Sequence, residues 1–313
     1  MLCGSVIPMR GRDSPDTQVV RARIGLGARV ARLWTYRELL VGMVRKELKV
    51  RYKNSVLGFA WSLLNPLLYL VVFYVAFDLI LGSAIDHFEI FLLSGLLVWN
   101  LFSTGLAAAT GSIVGNAGIV NKVAFPREIL PLASIGAALV HFALQALVLA
   151  AVLLIMRWDV AWEYLPLLPV GLVALLVLTA ALGILLSAVN VYLRDTQHLL
   201  ELGLLAWFWM TPVVYGFMTI GGREGWGKTL FMANPITPVV LVFQRGIYAQ
   251  LETGGGSSAP RALSGEGVAQ ILPPWTWGEY ALYLGLTLGV GIVALAIAIS
   301  VFGRLEADFA EEL

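Results

Sequence analysis

Residues 115–131 read GNAGIVNKVAFPREILP, and the placement of this stretch decides the fold. It is a compact polar bend carrying Lys122, Arg127 and Glu128. Apolar runs flank it at 89–113 and 132–156, each longer than the roughly 20 residues a helix needs to cross a bilayer. On this reading the bend joins two membrane spans on one side of the membrane. Pro126 and Pro131 lack a backbone N–H and push Phe125 and Leu130 away from helix, so short helical pieces at fixed angles are expected. That geometry suits a rigid knob gripped from the cytoplasmic side. The other reading is an ordinary short turn whose charges only set topology.

Composition agrees with membrane spans. Hydrophobic residues make up 59% of the chain and charged residues 13%, with a mean hydropathy of +0.82. A soluble domain carries about 25% charged residues, so a soluble fold is excluded. The net charge of +1 carries no message about nucleic acid, and none is expected as a partner; the placement of the charges is what informs. Arg10, Arg12, Arg21, Arg23, Arg29, Arg32, Arg37, Arg45, Lys46, Lys49, Arg51 and Lys53 all precede the first long apolar run. This bias assigns the N-terminus to the cytoplasm. The single cysteine, Cys3, excludes an internal disulfide, and with no apolar stretch ahead of it no lipoprotein-type signal is expected.

The expected fold is an all-α polytopic membrane protein with six transmembrane helices and both termini cytosolic. Residues 1–35 read as a flexible cytosolic arm. Within 36–56, Leu39, Leu40, Met43, Val44 and Leu48 fall at helical spacing while Arg37, Arg45, Lys46, Lys49 and Arg51 take much of the remaining surface. This predicts an amphipathic helix at the inner interface or, in the other reading, a solvated helix packed on the protein's own loops. The membrane core, 57–302, is divided into spans at 57–81, 89–113, 132–156, 165–191, 199–217 and 280–302, with Pro212 kinking the outer end of the fifth. The outer segment, 220–277, contains an apolar piece, 239–249, too short to cross and carrying Gln244 and Arg245; an interfacial or re-entrant helix is expected there. Residues 254–267, GGGSSAPRALSGEG, read as a flexible excursion, and 303–313 as a short charged cytosolic tail. With this topology Lys122, Arg127, Arg194 and Arg304 join the inner basic set, and only Arg157, Arg223, Lys228, Arg245 and Arg261 fall outside.

No phosphate-binding loop, metal-spaced Cys/His cluster or nucleophile elbow is visible in the sequence, so no catalytic residue, metal or cofactor of this chain is expected. Within the spans Asp78 and His141 are the main ionisable residues, with Glu201 near an inner boundary. Such groups often only hydrogen-bond neighbouring helices. They are too few for the relay of an ion-coupled transporter, which points to an energy source in another subunit.

Four ordered blocks resemble one family. Arg51 to Leu67 (RYKNSVLGFAWSLLNPL), Phe125 to Pro131 (FPREILP), Arg194-Asp195 followed by Thr211-Pro212-Val213-Val214-Tyr215, and Asn234-Pro235-Ile236-Thr237-Pro238 are similar to segments of the permease subunits of ATP-binding-cassette polysaccharide exporters, the O-antigen, teichoic-acid and galactan export group. Departures lie before about Trp34 and in the Gly/Ser-rich outer insert. The resemblance implies a multi-pass permease of the cytoplasmic (inner) membrane that pairs with a second copy of itself. It further implies two copies of a cytosolic ATPase binding ATP and Mg, and export of a lipid-linked polysaccharide; the excess of Arg over Lys, with abundant Ala, Gly and Val, suggests a GC-rich genome, for which a cell-wall galactan is one cargo.

The bend then becomes an ATPase-coupling element with Lys122, Phe125, Pro126, Arg127 and Glu128 as its residues. Phe125 would fill a cleft in the partner, and Arg127 and Glu128 would orient it through charged hydrogen bonds. Aromatic rings that stack on sugar faces, or merely sit at the bilayer interface, include Trp61, Tyr74, Trp99 and Phe102. The resemblance favours Tyr69, Phe73, Trp207, Trp209 and Tyr215 as lining the translocation pathway. Two other classes stay open: a membrane-embedded glycosyl- or acyltransferase using Asp86, His87 and Glu89, and a scaffold that recruits an ATPase.

Overall fold

The computed structural model describes residues 26–53, 64, 67, 68, 71, 72, 74–80, 85, 87–123, 125–220, 226–249 and 271–313, and no strand occurs among them. Helix α1 covers Leu26–Thr35 and α2 Arg37–Tyr52, followed by a π-helical stretch at Tyr74–Ile80. Then come α3 (Phe88–Gly115), α4 (Ala117–Val120), α5 (Ile129–Met156), α6 (Leu167–Tyr192) and α7 (Thr196–Trp209). The remainder is α8 (Phe217–Ile220), α9 (Trp226–Ala233), α10 (Thr237–Ile247), α11 (Trp277–Leu305), a 3₁₀ turn at Glu306–Asp308 and α12 (Phe309–Glu312).

Four of these, α3, α5, α6 and α11, are long and apolar enough to cross a membrane. They pack side by side, with α6 between α3 and α11 and α5 against α3. Close approach between α3 and α6 depends on small residues: a Cβ on Gly183 would meet that of Ala109 at 2.8 Å. Gly136 does the same for α2 on α5, since a Cβ there would lie 2.8 Å from Val44. Helix α2 is therefore docked on the bundle, with Leu39, Leu40 and Met43 against the apolar cluster beneath the bend.

That cluster collects the ends of α3, α6 and α11, the start of α5, and Phe309 of the tail. The same end receives α1 and α2, so the bend, the 193–195 connection and the carboxy terminus share one face of the molecule. At the opposite end the 158–164 connection is stitched to the outer segment. Ala161 donates its backbone N–H to Gly246 O at 3.1 Å, the Trp158 indole donates to Ile247 O at 3.2 Å, and the Tyr164 hydroxyl donates to Trp275 O at 3.2 Å.

Several expectations change. Residues 26–35, assigned to the flexible arm, form helix α1, because Leu33 finds apolar partners in the cluster under the bend. The first span lies mostly outside the described residues. The fifth is shorter than 199–217: α7 ends at Trp209, where the restriction that Pro212 places on Thr211 stops the helix. In the outer segment α10 is the expected short helix, and it is wedged against α3 and α6. Val239, Val240, Leu241 and Val242 are wholly buried, which suits insertion into the bundle and not a place on its surface. The short charged tail has an apolar face as well. Leu305, Phe309 and Leu313 recur every four residues on one helical face, and that face folds under the bundle with Phe309 fully buried.

Candidate functional site

The bend starts where α3 ends. The Asn116 side-chain amide donates to Ser112 O at 2.8 Å, and its carbonyl accepts from Lys46 Nζ of α2 at 2.6 Å. After the single turn of α4, Asn121, Lys122 and Val123 stand exposed at the tip. The chain then turns back into the protein. Phe125 is only 6% exposed and packs with Ile113, Ile129, Phe302 and Phe309. Pro126 and Glu128 are buried as well, and Pro131 is accommodated in the first turn of α5, where its missing N–H breaks no intrahelical bond.

Arg127 points at the tail. Its guanidinium donates to the Glu306 main-chain carbonyl and lies 5.6 Å from the centre of the Phe309 ring. Phe309 in turn meets Phe302 edge-on at 5.5 Å and Tyr192 at 6.1 Å, while the Tyr192 hydroxyl donates to Leu305 O at 2.8 Å. Three braces thus hold the bend: α2 through Lys46, the apolar cluster through Phe125, and the tail through Arg127. Between α1, the bend and the 3₁₀ turn an open polar cleft of about 460 Å³ remains, lined by Arg32, Asn121, Lys122, Arg127, Glu306 and Ala307 among others.

A second constellation sits at the opposite end. Asn234 is 8% exposed and joins two of the sequence blocks by itself. Its carbonyl accepts from the Trp207 indole at 3.0 Å and from Ile236 N at 3.1 Å. Its amide donates to Thr211 Oγ1 at 2.9 Å and lies 3.4 Å from Met210 O. Gln244 of α10 adds a bond from Nε2 to Pro212 O at 3.1 Å. Trp207 is built into this joint, edge-on to Phe102 at 5.1 Å. Trp209 is 61% exposed, and the Tyr215 hydroxyl donates to Trp209 O at 2.8 Å.

Comparison with known proteins places this arrangement. Residues 38–248 match the family described as ABC-2 type transporter. The chain belongs to that family. It is 35% identical over 221 residues to the O-antigen export system permease protein RfbA of Myxococcus xanthus, covering 70% of this chain and 84% of that protein. The protein of the same name from Klebsiella pneumoniae is 29% identical over 279 residues, 88% of this chain and 95% of the relative. The polysialic acid transport protein KpsM of Escherichia coli is 24% identical over 205 residues, 62% and 75% of the two chains.

Within this ABC-2 type chain the residues singled out from sequence divide sharply. Of the five in the bend only Lys122 is fully at the surface. The Phe125 ring fills the protein's own apolar cluster, Arg127 is engaged with the tail, and Glu128 is buried. Of the pathway candidates, Tyr69 and Phe73 lie outside the described residues, Trp207 is a structural joint, Trp209 has an open ring, and Tyr215 is half-buried against Phe231. His141 borders a cavity of about 30 Å³ with Glu47, Thr104 and Ser134; Glu201 is exposed; and nothing is described of the Asp78 side chain. The acid-and-histidine alternative is also placed. His87 Nδ1 and Glu89 Oε1 approach to 3.3 Å, but Glu89 is 3% exposed and closed off from an entering substrate, while Asp86 lies outside the described residues. Asn116 and Phe309 were not singled out from sequence, and the contacts of Lys46 and Asn234, both named there, were not foreseen; only the four-residue apolar spacing around Phe309 carried a signal.

Proposed function

We propose that this chain is the membrane permease of an ATP-binding-cassette exporter that moves a lipid-linked polysaccharide outward across the cytoplasmic membrane. Similarity over most of the chain carries this reading, since the relatives aligned over 84% and 95% of their own lengths are named O-antigen export system permeases. The chain itself is not an enzyme; a cytosolic ATPase, two copies per permease pair, binds ATP and Mg and supplies the energy. Six spans with both termini inside follow from the basic-residue bias, and the gathering of α1, α2, the bend and the tail at one end of the bundle supports that sidedness.

The geometry offers a route for force. A push on the tip at Asn121–Val123 cannot be absorbed locally, because Lys46, Phe125 and Arg127 tie the bend to α2, to the apolar cluster and to the tail. It is passed to the ends of α3, α5, α6 and α11 together. The reading is tested by depleting the protein in its own cells. Lipid-linked polysaccharide should accumulate on the cytosolic side while the tagged protein, before depletion, co-purifies with an ATPase. Normal surface polysaccharide after depletion contradicts it.

A further inference from the structure

The cleft beneath the bundle has a marked sign. Among its described lining residues, Arg32 of α1 with Lys122 and Arg127 of the bend face it against one acidic residue, Glu306. Arg127 is committed to the tail through the Glu306 carbonyl and the Phe309 ring. Arg32 and Lys122 are exposed, and neither has an ion-pair partner among the described residues. The lining comes from α1 and from segments beyond the end of α3, before the start of α5 and beyond the end of α11. The cleft therefore opens below the bundle, where a soluble partner docks, and not on the flank against which lipid chains lie.

We propose that this cleft is the receptor for an acidic segment of the cytosolic ATPase, and that the carboxy-terminal 3₁₀ turn is one of its walls. The inference rests on the bend being the ATPase-docking element. It adds to that reading the chemistry of the partner, the participation of Arg32 and a role for the tail. A carboxylate entering the cleft meets the planar donor fork of Arg32 and the mobile ammonium of Lys122, a charge-assisted arrangement. The Arg127 bond and the buried Phe309 keep the opposite wall in place, so the cleft is formed before the partner arrives and less ordering is needed on docking. Charges in such open positions speed and orient encounter more than they add raw affinity.

The test uses the full chain in nanodiscs of phosphatidylcholine, alone or with phosphatidylglycerol, and measures binding of the purified ATPase across a salt series. Three variants are compared with wild type: Arg32→Gln with Lys122→Gln, Ala307→Glu and Ala307→Lys. Ala307 is exposed in the 3₁₀ turn, so a charge there alters the cleft without disturbing the core. The double variant is expected to bind about five- to tenfold more weakly, the size of two exposed ion pairs, and to lose most of its salt dependence. Ala307→Glu is expected to weaken binding and Ala307→Lys is not, in both lipids.

Equal losses from Ala307→Glu and Ala307→Lys, or wild-type affinity in the double variant, overturn the proposal while leaving the docking role of the bend intact. A loss confined to discs containing phosphatidylglycerol assigns the cleft to an anionic headgroup and also overturns it. Failure of wild type to bind any ATPase removes the underlying reading together with the proposal.

Discussion

The two ends of the bundle are built on opposite plans. At the bend, apolar rings are sealed inside and cations are left outside: Phe125, Phe302 and Phe309 fill the cluster, while Arg32 and Lys122 face an open cleft. At the other end polar atoms are sealed inside. Of the side-chain atoms buried without a hydrogen-bond partner among the described residues, Glu89 Oε2, Thr237 Oγ1, Gln244 Oε1 and Arg245 Nε lie there, against Asn190 Oδ1 alone toward the bend. Rings cover them, with Trp158 stacked on Tyr248 and Arg245 over Tyr164 at 4.5 Å. An unpaired buried polar atom costs about 1 to 3 kcal/mol. The bend end is therefore the stiffer, better-packed fitting with a charged exterior, and the far end carries most of the unpartnered polar atoms and is the easier of the two to rearrange.

Breaking the stiff end should have the largest effect. Phe125→Ala empties a ring's volume from a closed cluster and is expected to cost about 3 to 5 kcal/mol, read as a large fall in thermal stability of the purified chain without any partner present. A loss under about 1 kcal/mol would mean that the ring is not core and would erase the contrast. Asn234→Ala comes next. It strips partners from the Trp207 indole, Thr211 and Ile236 N, and about 2 to 3 kcal/mol is expected in the same assay.

A gain sharpens the comparison further. Glu89→Gln removes a buried carboxylate that has one unpartnered oxygen, and should raise stability by about 1 kcal/mol. Destabilisation would show that the carboxylate is satisfied and that the far end stores no such cost. The smallest effect belongs to Lys122→Ala, within about 0.5 kcal/mol of wild type because the side chain is exposed at the tip. Its consequence should appear in ATPase binding and not in folding.

Much of this was legible in the chain. The apolar runs around the bend, the short outer helix and the family blocks are local patterns, and a local pattern needs only length, period and proline placement to be read. What could not be read was which side of each piece is covered. Phe125 follows a polar tip and precedes a proline, so nothing near it in sequence indicates that its cover is Phe302 and Phe309 from the far end of the chain. Asn234 opens a family block whose spacing says nothing of its contacts. Its partner Thr211 belongs to another block and Trp207 to the helix before it, and only the fold of α7 against the outer segment brings them within hydrogen-bond distance. The tail reads as charged from its Glu and Asp residues, and the cover over Leu305, Phe309 and Leu313 comes from elements distant in sequence.

The most direct test of the bend as the energy-coupling contact is site-specific photo-crosslinking at two exposed positions in the same cells. Val123, 56% exposed at the tip of the bend, is replaced by a photoreactive amino acid; so, separately, is Trp162, 73% exposed in the opposite connection. The expected result is an ATPase adduct from position 123 and none from position 162. An ATPase adduct from position 162, or none from position 123 in cells that still display surface polysaccharide, would contradict it.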